Sequence, residues 1–213
     1  MEFRVSPKGV VLKRLFDFAC TFLGLVVLSP LLGVIALVVK LSDGGPVFYR
    51  GRRTGLNGRV FRIWKFRTMV VDAEKTGVSA TADDDPRVTR VGRFLRKYKL
   101  DELPQLVNVL VGEMSLVGPR PEVPQYTALF TAEEQAILSV RPGITDRATL
   151  WDIAEGEVLA GSDDPERVYL EKIRPEKMRL QLEYVRERTF GKDVKILALT
   201  LWALVTRRSM NHR

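Results

Sequence analysis

The chain contains almost no cysteine and almost no histidine. Its 213 residues include one cysteine, Cys20, and one histidine, His212. A single cysteine excludes a disulfide within the chain, and it fits a reducing compartment without proving one. The histidine lies next to the C-terminal residue, where a catalytic group is not expected. Acid–base or nucleophilic chemistry would therefore fall to carboxylates, lysines or hydroxyl groups.

Acidic residues are in the minority, and the excess of positive charge limits the partners. Lysine and arginine number 34 against 26 aspartates and glutamates, which gives a formal net charge of +8. Such a balance favours anionic partners: phospholipid headgroups, nucleotides, lipid phosphates or nucleic acid. A positive-inside bias beside an anionic leaflet would explain several of the same charges.

Charge is absent altogether from one long stretch. Residues 18–39 are uncharged and mostly apolar, with Ser29-Pro30 in the middle. As a helix the stretch would reach about 33 Å, enough to cross a hydrocarbon core of about 30 Å. Pro30 predicts a kink, because its ring clashes with the carbonyl of Val26, and Ser29 is placed to satisfy part of the freed backbone. The run is too long for a signal peptide and no convincing cleavage site follows it.

Basic residues flank this apolar stretch on both sides. The positive-inside rule places such flanks in the cytoplasm. A re-entrant helix that enters the membrane, bends at Ser29-Pro30 and returns places both flanks there, whereas a kinked spanning helix separates them. The residues alone leave both paths open. The flanking residues are Lys8, Lys13, Arg14, Lys40, Arg50, Arg52 and Arg53.

The remainder predicts an α+β, mostly helical domain. Asn57-Gly58 lies between two short strand-like runs, 47–50 and 60–67, and predicts a type I′ β-hairpin. The acids and proline of 83–86 predict a helix start, and Val91, Phe94, Leu95 and Tyr98 would form its apolar face.

A second group of helices is predicted further along. Asp101 is a predicted N-cap, and Gly112 the residue that stops the helix after it. Leu103, Leu106, Val107 and Leu110 would form the buried stripe of that helix. Asp164-Pro165 opens a further helix, which Pro175 restarts.

The C-terminal run 196–205 is apolar but too short to span a membrane, which predicts an amphipathic interfacial or packed helix. We therefore predict a membrane helix over 1–42 and a cytosolic domain over 43–192; the family resemblance given below implies that the helix is re-entrant and the domain catalytic. A C-terminal interfacial helix with a basic tail would occupy 193–213.

One pair of acids stands beside a cluster of cations. Asp101 and Glu102 follow a predicted helix with Arg90, Arg93, Arg96 and Lys97. Cations and a helix terminus can hold phosphate oxygens, and a carboxylate can attack phosphorus to form an acyl phosphate. A carboxylate approaching a diphosphate needs charge screening, which implies Mg²⁺ bound by one or both acids.

Other basic residues suit the same chemistry. Lys65 and Arg67 follow the hairpin turn, and Arg120 between two prolines is a rigid way to present a guanidinium to phosphate. Ordinary structural roles fit all of these acids and bases too. Asp101 and Glu102 would cap a helix, the lysines and arginines would form solvated faces, and Arg120 would belong to a structural turn.

Eight short motifs occur in order along the chain: Lys13-Arg14-Leu15-Phe16-Asp17, Ser29-Pro30, Gly45-Pro46-Val47-Phe48, Trp64-Lys65-Phe66-Arg67-Thr68-Met69, Asp101-Glu102-Leu103-Pro104-Gln105, Gly112-Glu113-Met114-Ser115, Gly118-Pro119-Arg120-Pro121-Glu122 and Arg141-Pro142-Gly143-Ile144-Thr145. Together they resemble the motifs of a known family, the bacterial sugar transferases, which are monotopic phosphoglycosyl transferases. The match runs from about Lys13 to Thr145 and continues weakly beyond it.

The resemblance implies an undecaprenyl-phosphate sugar phosphotransferase. It would move a sugar phosphate from a nucleoside diphosphate sugar, usually a UDP-sugar, to polyprenyl phosphate with Mg²⁺, and release UMP. The resemblance assigns Asp101 as the nucleophile, Glu102 as its partner, and Arg96 and Pro119-Arg120-Pro121 to the active site. It also favours a re-entrant helix broken at Ser29-Pro30.

The same resemblance places the protein at the cytoplasmic face of the bacterial inner membrane, in contact with membrane lipids, in the initiation of surface glycan synthesis. The chain departs from many relatives after Thr145, where it reads Asp146-Arg147-Ala148. Arg141 and Arg147 are candidate ligands for the nucleotide or sugar at this border. The sugar and the oligomeric state stay open, and a homo-oligomer is compatible with the sequence.

Two alternatives differ in kind. A spanning-helix glycosyltransferase would move the sugar alone and release UDP. A membrane-anchored basic adaptor or nucleic-acid-binding module would leave the acidic pair unexplained, and the chain has no recognised nucleic-acid motif, so no nucleic-acid partner is expected.

Overall fold

The apolar stretch folds into one long helix. The computed structural model describes residues 7–73, 85–151, 162 and 164–206, and its first helix, α1, is Pro7–Asp43, 37 residues. By length and composition, Gly9–Asp43 is sufficient to cross a membrane. The helix continues through Pro30, so a break at Ser29-Pro30 is not observed. As predicted, Ser29 Oγ donates a 2.8 Å hydrogen bond to the Val26 carbonyl, which Pro30 deprives of its helical donor.

One face of α1 packs against the rest of the chain at both ends of the helix. Asp17 and Thr21 are buried near its start, and Ile35 and Val39 are buried near its end. Between them, a side chain at Gly24 would contact Leu106. The opposite face exposes large apolar side chains: Val10, Val11, Leu12, Leu15, Phe18, Phe22, Leu23, Val26, Val27, Leu31, Val34, Leu37, Val38 and Leu41.

The predicted hairpin follows α1. Strands β1 (Phe48–Tyr49) and β2 (Arg52–Thr54) pair antiparallel with β4 (Lys65–Phe66) and β3 (Val60–Arg62). The two ladders share one register. Phe48 pairs with Phe66, and Arg52, four residues further along the first strand, pairs with Arg62, four residues earlier on the second. The two ladders are therefore one hairpin, which runs from Phe48 to Phe66.

The turn of this hairpin confirms the sequence prediction. Asn57 and Gly58 have φ of 54° and 75°, and the Arg59 N–H donates to the Leu56 carbonyl at 3.2 Å. Two successive residues with positive φ are the signature of a type I′ turn, which favours Asn-Gly.

The hairpin has two different faces, because successive residues of a strand point to opposite sides. Its inner face includes Phe61 and Ile63, which are buried in the main core. Lys65 belongs to the same inner face. The middle of its outer face carries Phe48, Arg50, Arg52, Arg62 and Trp64, and none of these five side chains is buried. We call this set the arginine face.

The two central helices begin later than predicted. Helix α2 is Arg90–Lys97, and its N-cap is Thr89, whose hydroxyl accepts from the Gly92 N–H at 2.9 Å. Asp85 instead forms an ion pair with Arg87 at 2.6 Å, and residues 83 and 84 lie outside the described residues. The predicted apolar face of α2 is divided, because Leu95 is buried whereas Phe94 and Tyr98 are exposed.

Helix α3 is Gln105–Val111. The prediction that Asp101 is its N-cap is therefore wrong. Gly112 ends the helix with φ of 89°, which confirms the predicted stop. The most buried residues of α3 are Gln105, Asn108 and Val109, and the predicted leucine stripe is only partly buried.

The remaining elements build the core around a short parallel pair. Strand β5 (Ser115–Val117) pairs with β6 (Gly143–Thr145), and their buried side chains meet α3 and the last two helices. The start at Pro165 and the restart beside Pro175 match the sequence prediction. The other elements are α4 (Pro124–Thr127), the 3₁₀ turn Glu134–Ser139, α5 (Arg147–Trp151), α6 (Pro165–Val168), the π turn Tyr169–Ile173, α7 (Arg174–Glu187) and α8 (Phe190–Thr206).

Helix α8 packs against the core on one side, as the sequence predicts, and its exposed side is also apolar. Ile196 and Ala203 are buried in the main core, whereas Leu201, Trp202 and Leu204 are exposed. The chain is thus mostly helical with short strands, and its exposed apolar surface is concentrated on α1 with a smaller share on α8.

Candidate active site

The two predicted catalytic acids lie on a tight turn between α2 and α3. Lys99 adopts a left-handed conformation (φ 55°, ψ 21°) and turns the chain out of α2, and the 3₁₀ turn Leu100–Glu102 follows. This turn packs against β4, which brings the acids beside Lys65. The acids are therefore positioned by a helix end on one side and by the inner face of the hairpin on the other.

Glu102 is held by two cations. Its Oε1 accepts from Lys65 Nζ at 2.9 Å, and its Oε2 accepts from Arg120 Nη1 at 3.0 Å. Arg120 Nη2 also donates to Oε1, which makes this pair bidentate. Burial alone would raise the pKa of Glu102, but Arg120 and Lys65 outweigh it and hold that pKa well below its usual range. Glu102 is therefore an ionised group that fixes two cations in place.

Asp101 has a different environment. Its side chain is nearly buried, with the residue 6% exposed, and no described residue donates a hydrogen bond to its carboxylate. Burial raises its pKa and the charge of Glu102 adds to the rise, whereas Lys65 and Arg96 oppose it. An acid so placed has free lone pairs in a positively charged surrounding, and a bound cation would favour its ionised form.

Arg96 reaches the site from α2. Its Nε donates to Thr68 Oγ1 at 2.9 Å, and it acts electrostatically on Asp101. The backbone of α2 packs tightly against that of Thr68, since a side chain at Gly92 would lie 1.9 Å from the Thr68 carbonyl oxygen. This close contact holds Arg96 against the turn that carries the acids. Arg90, Arg93 and Lys97, the other cations predicted on this helix, are exposed.

Arg120 is presented by a rigid loop. Pro119 and Pro121 are buried on either side of it, as expected for a fixed turn. The loop continues from β5, and the Gly143 N–H donates to the Pro119 carbonyl at 2.9 Å. A side chain at Gly143 would lie 2.1 Å from the Gly118 nitrogen, so glycine is required for this approach.

A fully buried carboxylate supports that loop from behind. Asp146 accepts from the Arg120 N–H at 3.2 Å and from Gln181 Nε2 at 3.2 Å. It also accepts from the Thr149 N–H at 2.6 Å and from Thr149 Oγ1 at 2.7 Å, which caps the start of α5. Asp146 thereby joins the loop to α5 and α7.

A second buried network lies next to Arg120 in the sequence. Glu122 forms an ion pair with Lys177 at 2.7 Å and accepts from Tyr169 Oη at 3.0 Å. Burial would raise the pKa of Glu122, but Lys177 and the Tyr169 hydrogen bond, with a further contribution from Arg120, hold it below its usual value. This network fixes the far end of the loop to α7.

The structure gives three other predicted ligands different partners. Arg67 binds Asp43 in a bidentate ion pair and donates to the Pro46 carbonyl at 2.6 Å, at the end of α1. Arg141 Nε donates to the Gly112 carbonyl at 3.0 Å, and Arg147 pairs with Glu183 at the surface. The structure thus brings Asp101, Glu102, Lys65, Arg96 and Arg120 together, and it places Arg67, Arg141 and Arg147 in other contacts.

The basic residues before the apolar stretch attach α1 to the domain. Lys13 Nζ donates to Asp193 Oδ2 at 2.7 Å and to the Val117 carbonyl at 2.9 Å. Arg14 donates to the carbonyls of Val109 and Leu110 at 2.7 and 3.0 Å, at the C-terminal end of α3, where cations are favoured.

The sequence-based predictions assign no role to the supporting acids Asp17, Glu122 and Asp146, although Asp17 and Glu122 stand in the matched motifs. Asp17 is 3% exposed and accepts from Ser115 Oγ at 2.7 Å and from the Leu116 N–H at 3.3 Å. A charged residue at the edge of an apolar run was a signal for Asp17. The partners of Asp146 are remote in sequence, which leaves no comparable signal.

The donor set fits Mg²⁺ bound partly by substrate. The residues described include no group of three or more His, Cys, Asp or Glu side chains suited to a metal. Asp101 has free carboxylate oxygens, whereas those of Glu102 are already paired. Mg²⁺ commonly uses one or two carboxylates together with phosphate oxygens and water, so Asp101 is the residue that would hold it here.

Comparison with known proteins identifies a family. The family model described as "Bacterial sugar transferase" matches residues 8–207. The chain is 42% identical over 204 residues to an undecaprenyl-phosphate glucose phosphotransferase of Komagataeibacter xylinus, covering 92% of this chain and 36% of that protein. It is 40% identical over 201 residues to the UDP-glucose:undecaprenyl-phosphate glucose-1-phosphate transferase of Escherichia coli K12, covering 93% and 41% respectively.

A shorter relative is covered more fully. The chain is 44% identical over 165 residues to the exopolysaccharide production protein ExoY of Rhizobium meliloti, covering 70% of this chain and 72% of that protein. The chain spans about two fifths of the length of the first two relatives, so the match with them covers their shared domain only. With its family match extending across almost its whole length, this chain belongs to the bacterial sugar transferase family.

Proposed function

We propose that this chain is a phosphoglycosyl transferase. It transfers a sugar phosphate from a nucleoside diphosphate sugar, a UDP-sugar by analogy with the E. coli relative, to polyprenyl phosphate. The products are a polyprenyl diphosphate sugar and UMP, and the reaction begins the assembly of an exopolysaccharide or another glycan. The observation that supports this most is the Asp101 carboxylate. It is buried without a hydrogen-bond donor among the described residues, and the cations Lys65, Arg96 and Lys99 act on it.

Asp101 acts as the nucleophile. One of its carboxylate oxygens forms a bond to the phosphorus that carries the sugar, and the bond from that phosphorus to the UMP oxygen breaks. The phosphosugar is then bound to Asp101 as an acyl phosphate. A phosphate oxygen of polyprenyl phosphate attacks the same phosphorus, and the Asp101 carboxylate leaves unchanged. A single site thereby serves both substrates in turn.

The cations bind and orient the anionic substrates. Lys65 and Arg120 are held by Glu102, so their positions are set before substrate arrives, and Arg96 is fixed by Thr68. Positioned cations stabilise charge on the transferring phosphoryl group and on the leaving UMP. When bound, Mg²⁺ would screen the repulsion between Asp101 and the diphosphate. Glu102 thus acts through Lys65 and Arg120.

We also propose that α1 is re-entrant, bending at Pro30 without interruption of the helix, and that the site lies at the cytoplasmic face of the inner membrane. Asp17 near its start and Val39 near its end are both buried against the same domain. A straight helix that crossed the bilayer would carry one of these ends about 30 Å away from that domain. The exposed apolar face of α1 is then the part that contacts lipid.

Intact-protein mass spectrometry with a panel of UDP-sugars tests the chemistry. A mass increase of one phosphosugar is expected on the wild type, and none on Asp101→Asn, whose amide keeps the shape but is not a nucleophile. Glu171→Gln, which alters an exposed carboxylate on the π turn, is the matched control and should still be labelled. An unlabelled wild type that nevertheless turns over would exclude the covalent route.

The nucleotide product separates this reaction from transfer of the sugar alone. Phosphosugar transfer releases UMP, whereas transfer of the sugar alone releases UDP. Chromatography of the nucleotides after turnover with polyprenyl phosphate should show UMP, and UDP as sole product would falsify the proposed reaction class.

Cysteine labelling tests the path of α1. In a Cys20→Ser background, Ser6→Cys should be protected from a membrane-impermeant maleimide added outside spheroplasts and should react after lysis. Adding Ser29→Leu and Pro30→Leu favours a spanning helix and should expose the label site. Labelling of Ser6→Cys from outside without those changes would show that α1 spans the membrane.

A further inference from the structure

The arginine face of the hairpin carries unpaired positive charge. Arg52 and Arg62 are directly opposite each other in the register and both are exposed. Like charges directly opposite destabilise a strand pair, so this arrangement has a cost in the free protein. Within the described part of the chain no carboxylate pairs with Arg50, Arg52 or Arg62. Among the described residues, the Arg62 side chain donates one hydrogen bond, a long one of 3.4 Å from Nη1 to the Arg50 carbonyl.

Arg50 extends this set along the same face. Its guanidinium lies 3.5 Å above the centre of the Trp64 ring, and its buried Nε has no hydrogen-bond acceptor in the described structure. A guanidinium stacked on an indole is held in a fixed orientation, and its remaining donors stay free for an anion. The face therefore offers one oriented guanidinium, that of Arg50, and two exposed ones, those of Arg52 and Arg62, and none of the three has an acidic partner among the described residues.

Aromatic side chains connect this face to α1. The Trp64 ring contacts Phe48 edge-on at 5.2 Å, and Phe48 stacks on Phe66 at 5.4 Å. Phe66 in turn packs with Ile35 and Val39 of α1. Phe48 itself is 40% exposed. The arginine face thus begins where the apolar helix ends, and aromatic residues with arginine are typical of the boundary between hydrocarbon and lipid headgroups.

The face is separate from the catalytic pocket. Lys65, which pairs with Glu102, belongs to the inner face of the hairpin, whereas Trp64 and Arg62 belong to the outer one. An anion on the arginine face would therefore not contact Asp101. This separation argues against the sugar nucleotide or polyprenyl phosphate in transit as the occupant.

We propose that the arginine face binds the phosphate groups of anionic phospholipids. It would fix the hairpin at the headgroup plane while the apolar face of α1 enters the hydrocarbon. The anionic headgroups supply the counter-charge that the Arg52–Arg62 pair lacks. The inference rests on the proposed membrane location of α1 and is independent of the aspartyl chemistry.

Lipid retention by the full-length protein tests the inference. The protein in mild detergent is mixed with equal amounts of phosphatidylglycerol and phosphatidylcholine, and the retained lipids are counted by native mass spectrometry. The wild type should retain phosphatidylglycerol preferentially. Replacing Arg50, Arg52 and Arg62 by Gln should remove that preference. Each replacement should lower the ratio of retained phosphatidylglycerol to phosphatidylcholine by about fivefold at low salt. Added salt should lower the same ratio in the wild type.

A second triple variant controls for net charge. Arg167→Gln, Lys172→Gln and Arg179→Gln remove the same charge from exposed positions on α6, the π turn and α7, and this variant should keep the preference. Equal loss in both triples, or no loss in the hairpin triple, would overturn the proposal. Displacement of phosphatidylglycerol by UMP would assign the face to a nucleotide instead.

Lipid retention is measured without enzymatic turnover. A failure of the proposed phosphosugar chemistry would therefore leave the lipid result interpretable. Thermal unfolding confirms that both triples are folded. The hairpin triple should unfold no earlier than the wild type, because it also removes the repulsion between Arg52 and Arg62.

Discussion

Buried carboxylates in the scaffold and in the active-site region of this molecule differ in the number of hydrogen bonds that they accept. In the scaffold region, Asp17 accepts two hydrogen bonds and Asp146 accepts four. Asp193 accepts from Lys13 at 2.7 Å and from Tyr184 Oη at 2.7 Å. In the active-site region, Asp101 receives no hydrogen bond from the described residues, although it is similarly buried.

The difference separates acids that hold the fold from an acid available for chemistry. A buried carboxylate with several donors is fixed, and removing it leaves those donors without partners. A buried carboxylate without donors has a cost in the free protein, which bound substrate and metal can offset. The comparison predicts that substitutions in the scaffold region lower stability, whereas substitution of Asp101 lowers activity alone.

The largest effect is expected from Asp101→Asn. Loss of the nucleophile should lower the rate of UMP release by at least about 10³-fold. The free energy of unfolding should stay the same or rise, because the substitution removes an ionised group that lacks hydrogen bonds. Steady-state UMP release and thermal unfolding of the same preparation measure the two quantities. A large drop in unfolding temperature would instead place Asp101 among the scaffold acids.

Asp17→Ala should show the opposite pattern. It leaves the Leu116 N–H without its acceptor and removes the 2.7 Å bond of the Ser115 hydroxyl, which keeps the Val117 carbonyl as an acceptor at 3.0 Å. The expected loss of stability is about 1–3 kcal/mol. Denaturant unfolding measures it, and Asp17→Asn, which keeps one acceptor oxygen, should lose less. If both variants were as stable as the wild type, the attachment of α1 at Asp17 would not contribute to stability.

Asp146→Ala tests a scaffold acid that acts on the active site. Four donors lose their acceptor, so a stability loss of about 1–3 kcal/mol is expected. Because the Arg120 N–H is one of these donors, the KM for the sugar nucleotide should rise by roughly tenfold. Asp146→Asn retains an acceptor oxygen and should restore part of the KM. An unchanged KM in the alanine variant would limit Asp146 to a role in folding.

The pH dependence of stability should differ in sign between the two active-site acids. The pKa of Asp101 is raised above 3.8 by burial, so its contribution to stability is lost as the pH rises from 3.8 through the raised value. Burial would raise the pKa of Glu102, but Arg120 and Lys65 hold it well below 4.5. Glu102 therefore contributes stability above pH 4.5 that is lost as the pH falls.

Unfolding temperatures from about pH 2 to about pH 7 test this contrast, because Glu102 acts below its ordinary pKa and Asp101 above its own. Relative to the wild type, Asp101→Asn should gain stability with rising pH, whereas Glu102→Gln should lose it. The two differences should converge toward acidic pH. Parallel curves for the two variants would show that the two acids share one environment.

The smallest effect is expected from Ser29→Ala. The Ser29 hydroxyl supplies a donor to the Val26 carbonyl that Pro30 leaves without one. Its loss should lower stability by about 0.5–1.5 kcal/mol, measured by unfolding in detergent, and should leave UMP release unchanged. Ser42→Ala on the same helix, where the hydroxyl donates to Val39 without a nearby proline, is the matched control and should have less effect.

Local sequence signals predicted the elements with special backbone requirements. Asn57-Gly58 and Gly112 were placed correctly, because positive φ restricts the residues that can occupy such positions. The predicted start of α2 was wrong. Thr89 and the acidic run before it are both possible N-caps, and the hydrogen bond that the Thr89 hydroxyl accepts from the Gly92 N–H sets the boundary. Propensity alone does not choose between two acceptable N-caps.

The site was predictable to the extent that its residues are adjacent in sequence or belong to a motif. Asp101, Glu102 and Arg120 were predicted to share one site, and the structure brings them together, whereas their roles stay predictions. Asp146 was missed as a supporting residue, because its role depends on Arg120 and Gln181, which lie 26 and 35 residues away. Arg67 follows Lys65 closely, yet it turns toward Asp43, which shows that basic neighbours need not share a ligand.

The shared register of the hairpin also restricts how the family can vary in length. Since Lys65 and Trp64 point to opposite sides, insertion or deletion of one residue in either strand would exchange the catalytic and outer surfaces. Lys65 would then face away from Glu102, and an indole would enter the polar pocket. Length changes in this exposed segment are therefore expected in the connecting loop 55–59, or as pairs of residues that preserve the alternation.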